Sequence, residues 1–585
     1  MNDSPNDPPE PRPEPGPGDG AAGAPPLWLV AIAVLANLAF LWTGMFKDDF
    51  QNIHNARAAE LTLPSLGTHF FHDGPSISDG YRFPWLGDRP TSVYFRPVLV
   101  ALFKGEDRLF GLWAPGYHAV NLGFHLLNAL LVLGLGRRLL STDRQARWAA
   151  LLFLFHRPAM QSAGWVSGRT EVIATTCLLG MVLAYARFRD QGRGAGGWVW
   201  FLLALALVGL GQGVKETCVL APLIAWAYDR GAHPRRRFSL WPVWFVAIVA
   251  AGLWYRSTLP GLAGLPPTGS FNLHGPAEPG FVRFLAGRLA HSLLTVLAAD
   301  PGYLPYRRLI APGMLICLVG LASALGWLLF RSRQALATAD FLLAWLLLSL
   351  APALPLMAQR FYLYPAAVPA CLIFARLAGP PLTGRSHAWL FKARAVLLVL
   401  FCLNSLDGVV ERLNAYARYS GDDARIVATI VERAIKVGGP LRIHLFGATV
   451  MELHLRQRLR LALPDRELSV HVVTLAPVLF GRPHATVYAW PTLPGPDGRG
   501  AVLRADLGPV HPVRSEPNLA YWSEDIRLDV GDSLVCDAYE TVLGHDSSGY
   551  HWLVRFKEPI RQGSLFFAIQ PRECEWIGPD ATPGR

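Results

Sequence analysis

Charge is scarce in this chain. Asp, Glu, Lys and Arg make up 17% of its 585 residues and hydrophobic residues 52%, where an average soluble domain carries about 25% charged residues. One globule cannot hide that much apolar surface, so most of the chain belongs in a bilayer. Cysteine is sparse and unpatterned, with seven residues, no CxxC pair and no metal-ligand spacing. Cys177, Cys218, Cys317, Cys371 and Cys402 lie in or beside apolar runs, where a small hydrophobe is at home. Cys536 and Cys574 stand in the tail, where an oxidising compartment would allow a disulfide. Repeated units of the kind that mark a solenoid are missing. The basic excess of +11 is dispersed through short loops, which argues for topology signals and against nucleic acid as a partner.

What is present is a series of long apolar runs. Residues 1–26 are Pro-, Gly- and acid-rich, which predicts a disordered tail. The run Leu27–Met45 is about long enough to cross a bilayer, and without a basic leader it reads as a retained anchor. Further runs follow at about 116–136, 147–160, 170–186, 197–213, 216–229, 240–256, 311–330, 340–357, 362–378 and 393–410, which makes about eleven crossings. Loops rich in Arg (137–147, 187–193, 230–237, 331–333 and 385–394) alternate with loops holding the single cations Arg169, Lys215 and Arg360. The positive-inside rule puts the first set in the cytoplasm, so the N-terminus starts inside and residues beyond about 411 lie outside. The acidic tail before the first helix, with Arg12 its one cation, points the other way and is outvoted by the later loops.

With that orientation the polar motifs gather on the outer side. Asp48 and Asp49 open the first outer loop, where a lipid-facing helix has no use for paired carboxylates. His156, Gln161, Arg169 and Glu171 fall in the turn between the third and fourth helices, and Lys215 and Glu216 in the next outer turn. Arg283, Arg288 and His291 occupy the loop before the eighth helix, and Gln359, Arg360, Tyr362 and Tyr364 follow the ninth. Isolated cations beside carboxylates suit an anionic lipid substrate. The plainer alternative is that each is an ordinary charge at a helix end. For His125, seven residues after His118 on one helix, core packing is the expectation.

Six of these segments, in order over about 27–410, resemble the GT-C superfamily of membrane glycosyltransferases, within it the TMTC-type and protein O-mannosyltransferase-like branch. Asp48-Asp49 with Asn52 resembles the first-loop acidic motif, and Tyr94-Phe95-Arg96-Pro97 the Tyr-Arg-Pro segment. Gly116 to Asn121, with His118, resembles the second-helix signature. Phe155-His156 with Gly164 to Glu171 resembles His-Pro…Trp-x-x-Gly-Arg-x-Asp. Lys215-Glu216 resembles the Lys-Glu turn, and Arg360 to Pro365 the Arg-Tyr-Leu-Tyr-x-Pro segment. The departures are Arg157 for the usual Pro, Gln161 for a Glu and Glu171 for the more frequent Asp, and tetratricopeptide repeats are absent. A Gln is neither a base nor a good ligand for a hard cation, which argues against a divalent cation there, and no cofactor is called for.

The resemblance implies sugar transfer from a polyprenyl-phosphate donor to an acceptor (protein, glycan or lipid) at the outer face of a bacterial inner membrane. Asp48 matches the family's catalytic acid and is expected to take the acceptor proton, with Asp49 binding hydroxyls or sharing that role. Arg360, Lys215 and Arg283 or Arg288 are the candidates for the lipid phosphate. Arg96, His118, His156, Arg169, Glu171, Glu216 and Tyr362 complete the expected substrate-binding set. A catalytically silent scaffold and a lipid or solute transporter stay open as alternatives. The tail from about 411 reads as an extracytoplasmic α+β domain, with helices at Asp422–Val437 and Thr449–Leu463. Its short strands are expected at Leu441–Phe446, Leu468–Leu475, Thr486–Trp490, Ala501–Leu507, Ser533–Tyr539, Tyr550–Phe556 and Ser564–Ile569.

Overall fold

A computed structural model describes residues 25, 27–46, 48–73, 91–192, 194–232, 240–259, 281–297, 333–355, 360–377, 388–437, 439–446 and 454–473, and short β segments between 493 and 576. The first anchor is α1 (Leu27–Leu38), prolonged by a 3-10 turn over Ala39–Trp42. After it come α2 (Asp48–Ala58), α3 (Leu63–Thr68) and a small antiparallel pair, β1 (Phe70–Asp73) with β2 (Thr91–Tyr94). The bundle continues through α4 (Pro97–Phe110), α5 (Ala114–Leu139), α6 (Asp143–Phe155), α7 (Arg157–Gly164), α8 (Arg169–Gln191) and α9 (Ala195–Gln212). It is completed by α10 (Ala221–Ala232), α11 (Pro242–Thr258), α12 (Phe281–Leu297), α13 (Arg333–Leu350), α14 (Tyr364–Leu377) and α15 (Ala388–Lys436).

The expected apolar runs that fall on described residues are helical over most of their length; 311–330, 356–357 and 378 lie outside those residues. Among the described residues three helices are long and apolar enough to cross a membrane, Ala114–Leu139, Val166–Gln191 and Ala195–Gln212. Leu27–Trp42, Leu285–Leu297 and Thr338–Ala353 are shorter apolar helices, the middle one not expected from the sequence. The outward faces of α9 and α11 carry Val199, Leu202, Leu210, Val243, Trp244 and Trp254, all more than half exposed. Apolar surface of that extent faces lipid more readily than water.

Breaks in the helices make the polar corners. Pro158 at the first turn of α7 stops α6, because a proline has no amide to continue the ladder and restricts the residue before it. The run 147–160 is therefore two helices joined at His156, not one. After α7 the chain turns through Val166–Gly168 before starting α8. This corner is packed backbone against backbone: a Cβ at Gly168 would lie 2.5 Å from the Ser162 carbonyl oxygen and 2.9 Å from its Cα.

The boundary expected near 411 falls inside α15, a single helix of 49 residues. Its residues serve two bodies in turn. Tyr416 packs in an apolar cluster with Phe40, Phe46 and Met160 of the bundle. Ile426, Val427, Ile430 and Ala434 join the core of the tail, with Leu441, Ile443, Val470 and Phe567. The expected helix from Asp422 is thus the end of a longer one. In the tail, β3 (Leu441–Phe446) pairs in parallel with β4 (Leu468–Val473) and with β12 (Ser564–Gln570), whose other edge meets β13 (Glu573–Trp576) antiparallel. A second, antiparallel sheet runs in the order β5 (Leu493–Pro494), β6 (Ala501–Gly508), β11 (Gly549–Phe556), β10 (Tyr539–Asp546), β9 (Ser533–Val535). β7 (Val513–Arg514) and β8 (Ile526–Arg527) form a separate pair, and α16 (His454–Ala462) covers part of the expected 449–463 helix. The expected strand at 486–490 lies outside the described residues.

Gly168→Ala should lower stability by about 1–3 kcal/mol, since neither Ser162 backbone atom can yield without moving α7. Thermal unfolding in detergent measures it; an unchanged midpoint would contradict the packing of this corner.

Candidate active site

Asp48 and Asp49 are adjacent but differently housed. Asp49 is fully buried. Its Oδ1 accepts from the Ser167 backbone amide at 2.8 Å and from Ser167 Oγ at 2.5 Å, and its Oδ2 accepts from the Phe46 amide at 3.1 Å. One turn on, Asn52 Nδ2 donates to the same Ser167 oxygen at 2.9 Å. Asp49 therefore ties the start of α2 to the corner between α7 and α8. Asp48 is half-buried. Asp49 stands beyond the first apolar run, and burial pushes its carboxyl up from 3.8 to about 7, against the opposing pull of the Ser167 and Phe46 donors and with a further push from Asp48.

Five predicted residues meet in one cluster. Lys215 Nζ lies 2.6 Å from Glu171 Oε1, and Arg96 donates to Glu216 Oε2 at 3.1 Å. Tyr362 contributes its ring face to Lys215, 4.9 Å from the centroid, while Arg96 stacks on Tyr94 and Phe70 at 4.4 and 4.7 Å. Two cations thus face two carboxylates, and the formal charges cancel. The geometry is built by the break after α9, where Lys215 takes an extended backbone and opens the 3-10 turn Glu216–Leu220.

Arg360 belongs to a second cluster, which sequence reasoning did not assemble. Its Nη1 lies 3.7 Å from Glu411 Oε1; Arg412 lies 3.3 Å from the same oxygen, and Arg157 donates to Glu411 Oε2. Gly408 on α15 makes room for this, since a Cβ there would overlap the stem of Arg157, 2.7 Å from Cδ. The signals were in the sequence: a cation replacing an expected Pro inside an apolar run, and an Arg-Glu-Arg set spread over 360–412 around the last two runs. Both clusters hang on one short turn, Arg360–Leu363, with Arg360 in one and Tyr362 in the other. Phe361 between them packs edge-on against Trp165 at 5.3 Å, and its carbonyl accepts from Ser162 Oγ at 3.2 Å.

The remaining predicted residues are placed elsewhere. Arg169 is fully buried and paired with Glu106; its other donors go to the Val166 and Tyr117 carbonyls, each at 3.0 Å, which makes it a tie between α4, α5 and α8. His156 is buried with Nε2 2.9 Å from the Val296 carbonyl oxygen, facing α12. His118, also buried, lies 3.4 Å from Thr43 Oγ1 beside the first loop. His125 sits in the core, 2.8 Å from the Tyr364 hydroxyl. Arg288 is buried on α12, and the side chain of Arg283 lies outside the described residues. The Gln161 carbonyl accepts from Tyr416 at 3.1 Å. Among the described residues no group of three or more His, Cys, Asp or Glu is placed to hold a metal ion. From the tail, Arg458 of α16 lies over the ring of Phe50 at 4.5 Å, so that helix rests on α2.

No family model matches the chain. Over 147 residues it is 27% identical to protein O-mannosyl-transferase TMTC1 of Mus musculus and 26% to that of Homo sapiens, a match covering 22% of this chain. The match spans only 16% and 17% of those two proteins. Among solved structures it is similar to apo ArnT from Cupriavidus metallidurans, with 14% identity and a TM-score of 0.42 over 76% of this chain and 89% of that one. It is also similar to the oligosaccharyltransferase AglB from Archaeoglobus fulgidus, solved with an inhibitory peptide and a dolichol-phosphate, with 14% identity and a TM-score of 0.38 over 76% and 64%. Over that stretch of 147 residues the chain is similar to protein O-mannosyl-transferases, the branch that its motifs also resemble.

Because the folded Asp49 holds its proton to about 7 and an unfolded one to about 3.8, this group's contribution to stability is full below 3.8 and is lost as pH rises to 7. The separation corresponds to at most about 4 kcal/mol. Melting temperatures of wild type and Asp49→Asn, followed from pH 4 to 8 in detergent, should diverge in favour of the variant as pH rises and level off above 7. Parallel curves would contradict the desolvation of Asp49.

Proposed function

We propose that the protein transfers a sugar from a polyprenyl-phosphate donor to an acceptor on the outer face of a bacterial inner membrane, with its N-terminus inside and the tail outside. The observation that carries the reading is the start of α2: Asp49 is held by the Ser167 and Phe46 donors, which fix the helix end, and the half-buried Asp48, the residue that matches the family's catalytic acid, stands beside it at that end. In the reaction the acceptor oxygen forms a bond to the anomeric carbon and gives its proton to the Asp48 carboxylate. The bond from the anomeric carbon to the phosphate oxygen breaks, and its electron pair leaves on the lipid phosphate. Cations held in place before the reaction stabilise that developing charge without reorganising; Lys215, Arg360 and Arg288 are the candidates with described side chains. Asp49 holds the loop that presents Asp48, a positioning role rather than direct contact with sugar. The tail, whose Arg458 reaches Phe50 on α2, is the candidate for acceptor recognition.

Turnover of a polyprenyl-phosphate sugar by purified wild type and Asp48→Asn tests the reading. Loss of a general base is expected to cost about 10²- to 10⁴-fold in rate with donor binding retained. Equal turnover by both would remove Asp48 from the chemistry; transport of the lipid or solute without transfer would favour a transporter.

A further inference from the structure

Arg458 joins the tail to the start of α2. Its helix, α16, is built into the tail: Leu455 and Leu459 lie in the core there with Ile430, Ile443 and Val470, and Arg456 Nε donates to the Val470 carbonyl at 3.1 Å. From the same helix Arg458 reaches over the ring of Phe50, 4.5 Å from the centroid. Phe50 is buried and belongs to the core of the bundle. Arg458 is held from a second side as well, with Nη1 3.8 Å from Asp423 Oδ2 on α15. Its side chain is 17% exposed, and a cation largely withdrawn from water is drawn more strongly to a ring face than one at the surface.

Phe50 lies in the first turn of α2, two residues after Asp48. Successive residues of a helix point about 100° apart, so Asp49 and Phe50 grip that turn on different flanks. Asp49 is tied to Ser167 of the bundle, and Phe50 to Arg458 of the tail. The last turn is held separately: Lys104 Nζ donates to the Ala56 and Arg57 carbonyls at 3.1 and 3.0 Å, and Arg57 pairs with Asp107 at 2.8 Å. Loss of one grip on the first turn therefore tilts α2 about its far end instead of releasing it. Over its 11 residues, about 16 Å of helix, a tilt of about 4° carries the Asp48 end by about 1 Å. A displacement of about 1 Å at a reacting group can cost about 10²-fold in rate.

We infer that Arg458 is a positioning residue for Asp48. By fixing Phe50 it sets the first turn of α2 at the angle from which Asp48 takes the acceptor proton, so that transfer requires the tail to be docked on α2. Arg458 acts through Phe50 and not by contact with the sugar or the lipid. The inference rests on the role of base proposed above for Asp48.

Turnover of a polyprenyl-phosphate sugar by the full-length protein in detergent tests it. Sites are counted by equilibrium binding of a polyprenyl phosphate, so that unfolded molecules do not enter the rate. Arg458→Ala should lower kcat about 10- to 100-fold and leave the donor KM unchanged. Arg458→Lys should recover part of the loss, because an ammonium is also drawn to a ring face. Phe50→Leu keeps an apolar side chain but removes the ring, and on that background Arg458→Ala should cost nothing further. A second readout needs no turnover. In a background without native cysteines, Asp48→Cys should react several-fold faster with a water-soluble maleimide when combined with Arg458→Ala. Unchanged kcat and labelling rate in Arg458→Ala would overturn the inference. So would a raised donor KM with kcat intact, or a loss just as large on the Phe50→Leu background. A wild type that transfers nothing, with the labelling change still present, would sink the enzyme reading and leave the hold of Arg458 on the start of α2 standing.

Discussion

The arrangement depends on how one buried carboxylate is satisfied. Asp49 has no exposure, and leaving it without donors would cost several kcal/mol in so dry a place. Ser167 and Phe46 supply three hydrogen bonds to it, and Asn52 steadies the serine from below. The consequence is geometric. The first loop cannot leave the corner between α7 and α8 without exposing these bonds, so Asp48 is presented from a fixed base.

The rest of the polar face follows from where helices stop. Pro158, the Val166–Gly168 turn, the extended Lys215 and the Arg360–Leu363 turn each end a helix on the side that carries the motifs. Helix ends leave backbone groups unpaired, and they are the places in a bilayer protein where polar side chains are tolerated. Aromatic contacts knit the ends together: Phe46 with Trp165 at 6.1 Å, Trp165 with Phe361 at 5.3 Å and Phe46 with Tyr416 at 4.8 Å. The last contact brings in α15, whose bundle-side half lends Glu411 and Arg412 and whose far end builds the core of the tail.

Much of this was legible in the sequence, because hydropathy and local motifs are local properties. The described apolar runs are helices, and Lys215-Glu216, Glu171, Arg96 and Tyr362 meet although they are far apart in the chain. The motif order preserved their relation. What escaped depends on partners at long separation. Arg169 looked like an isolated cation in an outer turn, and nothing near it in sequence announced Glu106, 63 residues earlier. Arg157 and Glu411, 254 residues apart, were a departure from a motif and a domain edge until the fold joined them. The continuity of α15 was hidden because its hydropathy changes at 411 while its helical backbone does not.

The central claim is that the polar segment of α15 is seated against the first loop, with Tyr416 on Phe46 and Ser420 on Gly44. Gly44 and Ser420 report it directly: the Gly44 amide donates to Ser420 Oγ at 3.2 Å, and a Cβ on Gly44 would lie 2.8 Å from the Ser420 Cβ. Disulfide formation needs Cβ atoms within about 4.5 Å, with some give where they start closer. In a background stripped of native cysteines, Gly44→Cys/Ser420→Cys should cross-link under mild oxidation in membranes. A folded double variant that stays reduced would contradict the account.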